Sequence, residues 1–230
     1  MLAAAINVKI IPLLIIFPMI AGIRNWEGIL KFCLWGLVGT IPFIIAWIGA
    51  GPAFISNIFG YGSSLQPWGF QLLLAKMDPL IQFETTFVIY YTLGKLLIIV
   101  SVLMLSYYGY KRHMGPAKLP ACAYILFLIF SPGFGVQYMV YLTPVLLAVN
   151  LRWGFLYATI SGIFIGSIYY HYLIFIYPLQ PNSYIYAFPF QTYHNGYMPA
   201  VSTILGVLTW SLLVILLWAL LFRKSNRNAG

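Results

Sequence analysis

The chain has 230 residues, of which 62% are hydrophobic, 18% aromatic and only 7% charged, with a formal charge of +9. Soluble domains carry about 25% charged residues and 45–50% apolar ones, so a water-soluble fold of this length is excluded and lipid has to serve as the outer solvent. Twelve Lys and Arg against three acids would raise nucleic acid as a partner for a soluble chain, but here the bases are dispersed among short loops, the positive-inside pattern of a membrane protein, which argues against nucleic acid.

The composition predicts an all-α fold: a polytopic transmembrane helix bundle of about seven segments, forming a single transmembrane domain over residues 1–230. In chain order, apolar runs able to cross about 30 Å of hydrocarbon cover residues 2–21, 30–48, 87–108, 155–176 and 201–222. Residues 119–130 and 136–149 form two shorter runs, separated by the turn signal Ser131, Pro132, Gly133, Phe134 and Gly135. They read as two short helices or as one re-entrant hairpin, and both options return the chain to the same side. The two long connections, 51–86 and 177–199, are rich in Tyr, Phe, Trp, Pro and Gly and are expected to lie on the outer face as interfacial loops or short helices.

Local positive charge sets the orientation. Arg24, Lys31, Lys111, Arg112, Lys118, Arg152, Arg223, Lys224 and Arg227 all fall on one side, whereas the opposite loops hold only Lys76. This asymmetry places the N-terminus outside and the C-terminus in the cytoplasm. A cleaved signal peptide fits less well, because the first run has no basic leading region and is interrupted by Lys9.

Lys9 lies ~9 Å into the first run at 1.5 Å per residue. At that depth an ammonium either faces an anionic ligand, such as a lipid phosphate, or snorkels to the headgroups, and the two readings stand side by side. Pro12 and Pro18 are expected to kink this helix. Lys95 sits near the middle of the third run, where it calls for a partner on another helix or a wet cavity. Of the acids, Glu27 is cytoplasmic, while Asp78 and Glu84 belong to the first long outer connection. The spacing of Asp78 and Glu84 is about 600° on a helix, so the two share no face and do not form a paired-carboxylate site. Asp78 remains a candidate for a divalent cation or a proton, against the plainer reading of a solvated acid beside Lys76. His194 is a candidate polar contact to a substrate, or an ordinary loop histidine; His171 lies on an aromatic helix. No metal-ligand spacing involves these histidines or Cys33 and Cys122, and no nucleotide-binding or hydrolase triad pattern is present.

Three strings, in order, resemble one family. The run from Ala5 through Lys9 to Pro12, Leu13 and Leu14 is similar to the Lys-x-x-Pro-Leu helix of bacterial polytopic glycosyltransferases of the family 87 type. The outer stretch Asn57, Ile58, Phe59, Gly60, Tyr61, followed by Pro67, Trp68 and Gly69, resembles the segment those proteins place next. The run from Ser131 to Gln137 and Tyr138, leading to Pro144, is similar to their Gln-Tyr-x-x-x-x-x-Pro segment. The resemblance covers nearly the whole chain but looks like the carboxy-terminal part of a GT-C type, mannosyltransferase-like enzyme, because the first large outer loop with its acidic motif has no counterpart here.

The resemblance implies transfer of a hexose from a polyprenyl-phosphate sugar donor to an outer-face acceptor in the bacterial cytoplasmic membrane. It implies a missing N-terminal half or a partner subunit, and membrane lipid as a further partner. No cofactor is assigned with certainty, and a divalent cation is the one candidate. Lys9 would stabilise the leaving phosphate, while Gln137, Tyr138, Tyr61 and Trp68 would line the pocket. Tyr61 and Trp68 read equally well as interfacial anchors. A catalytic base stays unassigned, since Asp78 does not match the family's acidic loop. Two other classes compete. A lipid or solute transporter is suggested by Lys95, the kinked first helix and the break at 131–135, but the internal repeat it requires is not visible. A non-catalytic membrane scaffold is compatible with the scarcity of acids.

Overall fold

A computed structural model describes residues 14–51, 83–131, 137–171 and 200–222, and all elements within them are helical. In chain order these are α1 (Ile16–Gly22), α2 (Trp26–Ala50), α3 (Phe83–Lys111), α4 (Lys118–Phe130), α5 (Gln137–Val149), α6 (Leu151–His171) and α7 (Ala200–Phe222). The expected all-α architecture is therefore observed, and Trp26–Ala50, Leu93–Lys111, Leu151–Tyr170 and Val201–Phe222 are long and apolar enough to cross a bilayer. The protein is an integral membrane protein. Most of the two long connections lies outside the described residues, as does the first half of the first run.

The chain forms two compact units, Met1–Gly62 with Ile98–Tyr124, and Ser63–Leu97 with Ile125–Gly230. In the first unit, Pro18 is the third residue of α1, in its first turn, where amides lack partners within the helix in any case, while Pro12 lies outside the described residues. The chain leaves α1 with Ile23 and Asn25 extended and enters α2 directly. A side chain at Gly22 would stand 2.9 Å from Pro116 Cα, so the glycine permits a close crossing of the two connections. The C-terminus of α3 is closed by nested hydrogen bonds, His113 N–H to Tyr110 O at 3.3 Å and Met114 N–H to Gly109 O at 2.9 Å. His113 takes the left-handed conformation this cap requires, with φ +54°. Met114 is buried beneath it, and Leu119 at the start of α4 packs where a side chain at Gly109 would otherwise sit.

In the second unit, α5 and α6 meet at a one-residue corner. Asn150 accepts a hydrogen bond from Trp153 N–H on its Oδ1 at 3.1 Å, capping α6. Arg152, expected in a loop, is consequently the second residue of a helix. Gly154 lets the corner close, since a Cβ there would lie 2.7 Å from the Leu147 backbone. Along α6 the buried positions are Gly154, Tyr157, Ser161, Phe164 and Ile168; along α7 they are Ser202, Gly206, Thr209, Leu212, Leu213, Leu216 and Leu220. Apart from Leu212, which lies beside Leu213, both series alternate steps of three and four residues, the spacing of helices packed at a shallow left-handed angle. Small residues at several of these positions bring α6 and α7 together, and Ser167 Oγ reaches Ser202 Oγ at 3.2 Å.

Candidate functional site

The feature that separates this bundle from a set of plain spans is the interruption between α4 and α5. Each helix has 13 residues, ~20 Å at 1.5 Å per residue, and neither crosses the hydrocarbon unaided. A helix that ends at membrane depth leaves four carbonyls without intrahelical acceptor roles, and lipid cannot satisfy them.

Two side chains from distant helices meet this demand at two of the four. Tyr90 on α3 donates its hydroxyl to Phe130 O at 2.8 Å, and Trp210 on α7 donates its indole N–H to Ile129 O at 3.3 Å. The last two carbonyls of α4 are thus each bonded from a different element. Ser131, just beyond, is also buried. On the far side of the interruption Tyr138 is buried and sets its ring edge-on to Phe127, with centroids 6.0 Å apart, which holds the two helix ends together. Within α5, Pro144 has no N–H to offer Val140 O, and the neighbouring Met139 carbonyl accepts from the fully buried Tyr157 at 3.1 Å.

The sequence-predicted residues distribute as follows. Gln137 and Tyr138 are the first two residues of α5, directly after the interruption; the Gln137 side chain lies outside the described part of the structure. Lys95 is exposed on α3, about 140° around the helix from Tyr90, at five residues' separation. Lys9, Tyr61, Trp68, Asp78 and His194 lie outside the described residues. Among the described residues no three of His, Cys, Asp and Glu come together. The donor set at the interruption is one of phenol, indole and backbone groups. Chemically, the α4 end is the negative pole of a helix and holds donors at its last two carbonyls, whereas the start of α5 is the positive pole of a helix.

Tyr90, Trp210 and Tyr157 were not singled out from the sequence. Trp210 carries its polar tip midway along the run 201–222, away from the headgroup belts where Trp ordinarily sits, and so requires a partner, whereas Tyr90 and Tyr157 stand three and two residues inside the starts of their runs and carry no such mark. Comparison with protein-family models, curated proteins and solved structures found no match to this chain.

Proposed function

We propose that this integral membrane protein is the membrane-embedded portion of a glycosyltransferase, moving a hexose from a polyprenyl-phosphate sugar to an acceptor at the outer face of a bacterial cytoplasmic membrane. The observation that carries the reading is the position of Gln137 and Tyr138. The string resembling the family's Gln-Tyr segment falls on the first turn of α5, immediately after the interruption. There the positive pole of a helix favours an anionic headgroup, and a buried tyrosine stands in the same turn. In this reading Lys9 stabilises the departing phosphate, and Tyr61, Trp68, Lys95, Asp78 and His194 supply further polar and stacking contacts. The acceptor's proton requires a base, which a partner subunit or a preceding segment would provide.

A second reading, a transporter of lipid or solute, draws on the same interruption, because broken helices with satisfied ends are how transporters build a midplane site. One reconstitution separates the two. Proteoliposomes containing the full chain receive a radiolabelled polyprenyl-phosphate hexose and an outer-face acceptor, with far-UV circular dichroism as the folding control. Transfer that falls at least ~10-fold in Lys9→Ala and Gln137→Ala supports the transferase. Movement of the donor across the bilayer without transfer supports the transporter, and equal transfer by wild type and both variants removes the assigned roles.

A further inference from the structure

We propose that the corner where α1 passes into α2 and α3 passes into α4 binds the phosphate of an anionic phospholipid. This inference stands independently of the transferase reading. The corner gathers Arg24, Lys111, Arg112 and Lys118, and Arg24 ties the α1–α2 connection to the last turn of α3 through a hydrogen bond from its guanidinium to Tyr110 O at 2.7 Å. The crossing of Gly22 on Pro116 and the left-handed cap at His113 hold both connections in place. The acid of this region among the described residues, Glu27, is taken by Lys31 at 2.6 Å. Among the described residues no carboxylate is ion-paired with the remaining cations.

Three of these cations also lie over aromatic rings. Arg24 lies 4.8 Å from the centroid of Tyr110, Lys111 lies 5.6 Å from Tyr107, and Arg112 lies 5.6 Å from Tyr108. Tyr107, Tyr110 and Trp26 are 65%, 51% and 76% exposed, and exposed amphipathic rings settle at headgroup depth. A guanidinium offers five N–H groups in a planar fork suited to phosphate. Arg24 uses one described bond on Tyr110 O, which orients the rest without exhausting them. Lipid is favoured over free phosphate because α2 begins two residues after Arg24 and has no buried residue along its length. An acyl chain descending from a headgroup at the corner would meet a continuous apolar wall.

The test uses the full chain in neutral detergent, with native mass spectrometry counting retained lipid during titration with phosphatidylglycerol or phosphatidylcholine. Retention of phosphatidylglycerol at least ~10-fold above phosphatidylcholine is expected, reduced about tenfold in Arg24→Gln/Arg112→Gln. Lys111→Gln/Lys118→Gln, which leaves the Arg24 to Tyr110 bond intact, is expected to weaken binding similarly and guards against loss of fold in the first variant. The charge-matched Arg152→Gln/Arg223→Gln is expected to bind as wild type does. Equal retention of the two lipids, unchanged binding in both corner variants, or equal loss in the charge-matched control would overturn the site. Displacement of the lipid by millimolar inorganic phosphate would overturn its assignment to lipid.

Discussion

Replacing Gly154 with alanine opposes two effects of known size. In a helix, alanine is favoured over glycine by about 1 kcal/mol, and by less in a first turn. Against this, the new Cβ would stand 2.7 Å from Leu147 Cα, N and Cδ2, where carbon atoms ordinarily rest ~3.5–4.0 Å apart. Two of those three atoms are backbone and cannot rotate away. Asn150 is the one residue between α5 and α6, so the corner has no slack, and the helices must separate by about 1 Å. Overpacking of this kind costs ~1–3 kcal/mol, which exceeds the propensity gain. The expected net loss is about 1–2 kcal/mol, a factor of ~5–30 in the folded-to-unfolded ratio. Gly162 on the same helix is the internal control, since a side chain there meets nothing within 4 Å; Gly162→Ala should be neutral or gain up to ~1 kcal/mol. Equilibrium unfolding in mixed micelles, followed by far-UV circular dichroism, measures both. If Gly154→Ala proves as stabilising as Gly162→Ala, the close approach of α5 and α6 is wrong.

Tyr90→Phe keeps the ring and removes the hydroxyl donor to Phe130 O, so it should cost ~0.6–1.7 kcal/mol, the range for hydrogen bonds within membrane bundles; faster amide exchange in the last turn of α4 would accompany it, and unchanged stability and exchange would refute the capping role. Trp210→Phe removes the indole donor to Ile129 O and part of a packed ring. It should therefore destabilise more than Tyr90→Phe in the same assay. His113→Gly relieves a left-handed residue, a conformation costing roughly 1–2 kcal/mol outside glycine, and should raise the midpoint of thermal unfolding. Asn150→Ala, which removes the acceptor for Trp153 N–H, should lower stability by ~1 kcal/mol, measured by the same unfolding curves.

Much of the framework was legible before any tertiary contact was known. Runs 30–48 and 201–222 match α2 and α7, and the shorter runs 119–130 and 136–149 match α4 and α5 within a residue. The Ser-Pro-Gly signal correctly separated α4 from α5, because proline and glycine act on the local backbone and need no distant partner. The end of α5 was placed at Val149, where it lies, but the start of α6 was placed four residues too late, at 155 rather than 151. Asn150 was read as loop, whereas its side chain caps a helix, and that short-range competition is invisible to hydropathy. Of the residues at the interruption, Gln137 and Tyr138 were singled out from the sequence by a string resembling known enzymes. The groups that complete the interruption, Tyr90 and Trp210, lie 40 and 81 residues from the carbonyls they bond.

What the sequence by itself determined was the solvent: an apolar, acid-poor chain belongs in lipid, and its spans follow from the length an unbroken helix needs to cross it. What the tertiary structure alone decided was which apolar helix is inside. Helices α2 and α4 are both apolar on every side, yet α2 has no buried residue and α4 is buried throughout residues 119–129. In water the hydrophobic effect would have marked the inner face of each. Lipid is as apolar as a leucine side chain and leaves no such mark, so the inside is chosen by close packing at small residues and by hydrogen bonds to helix ends that lipid cannot supply.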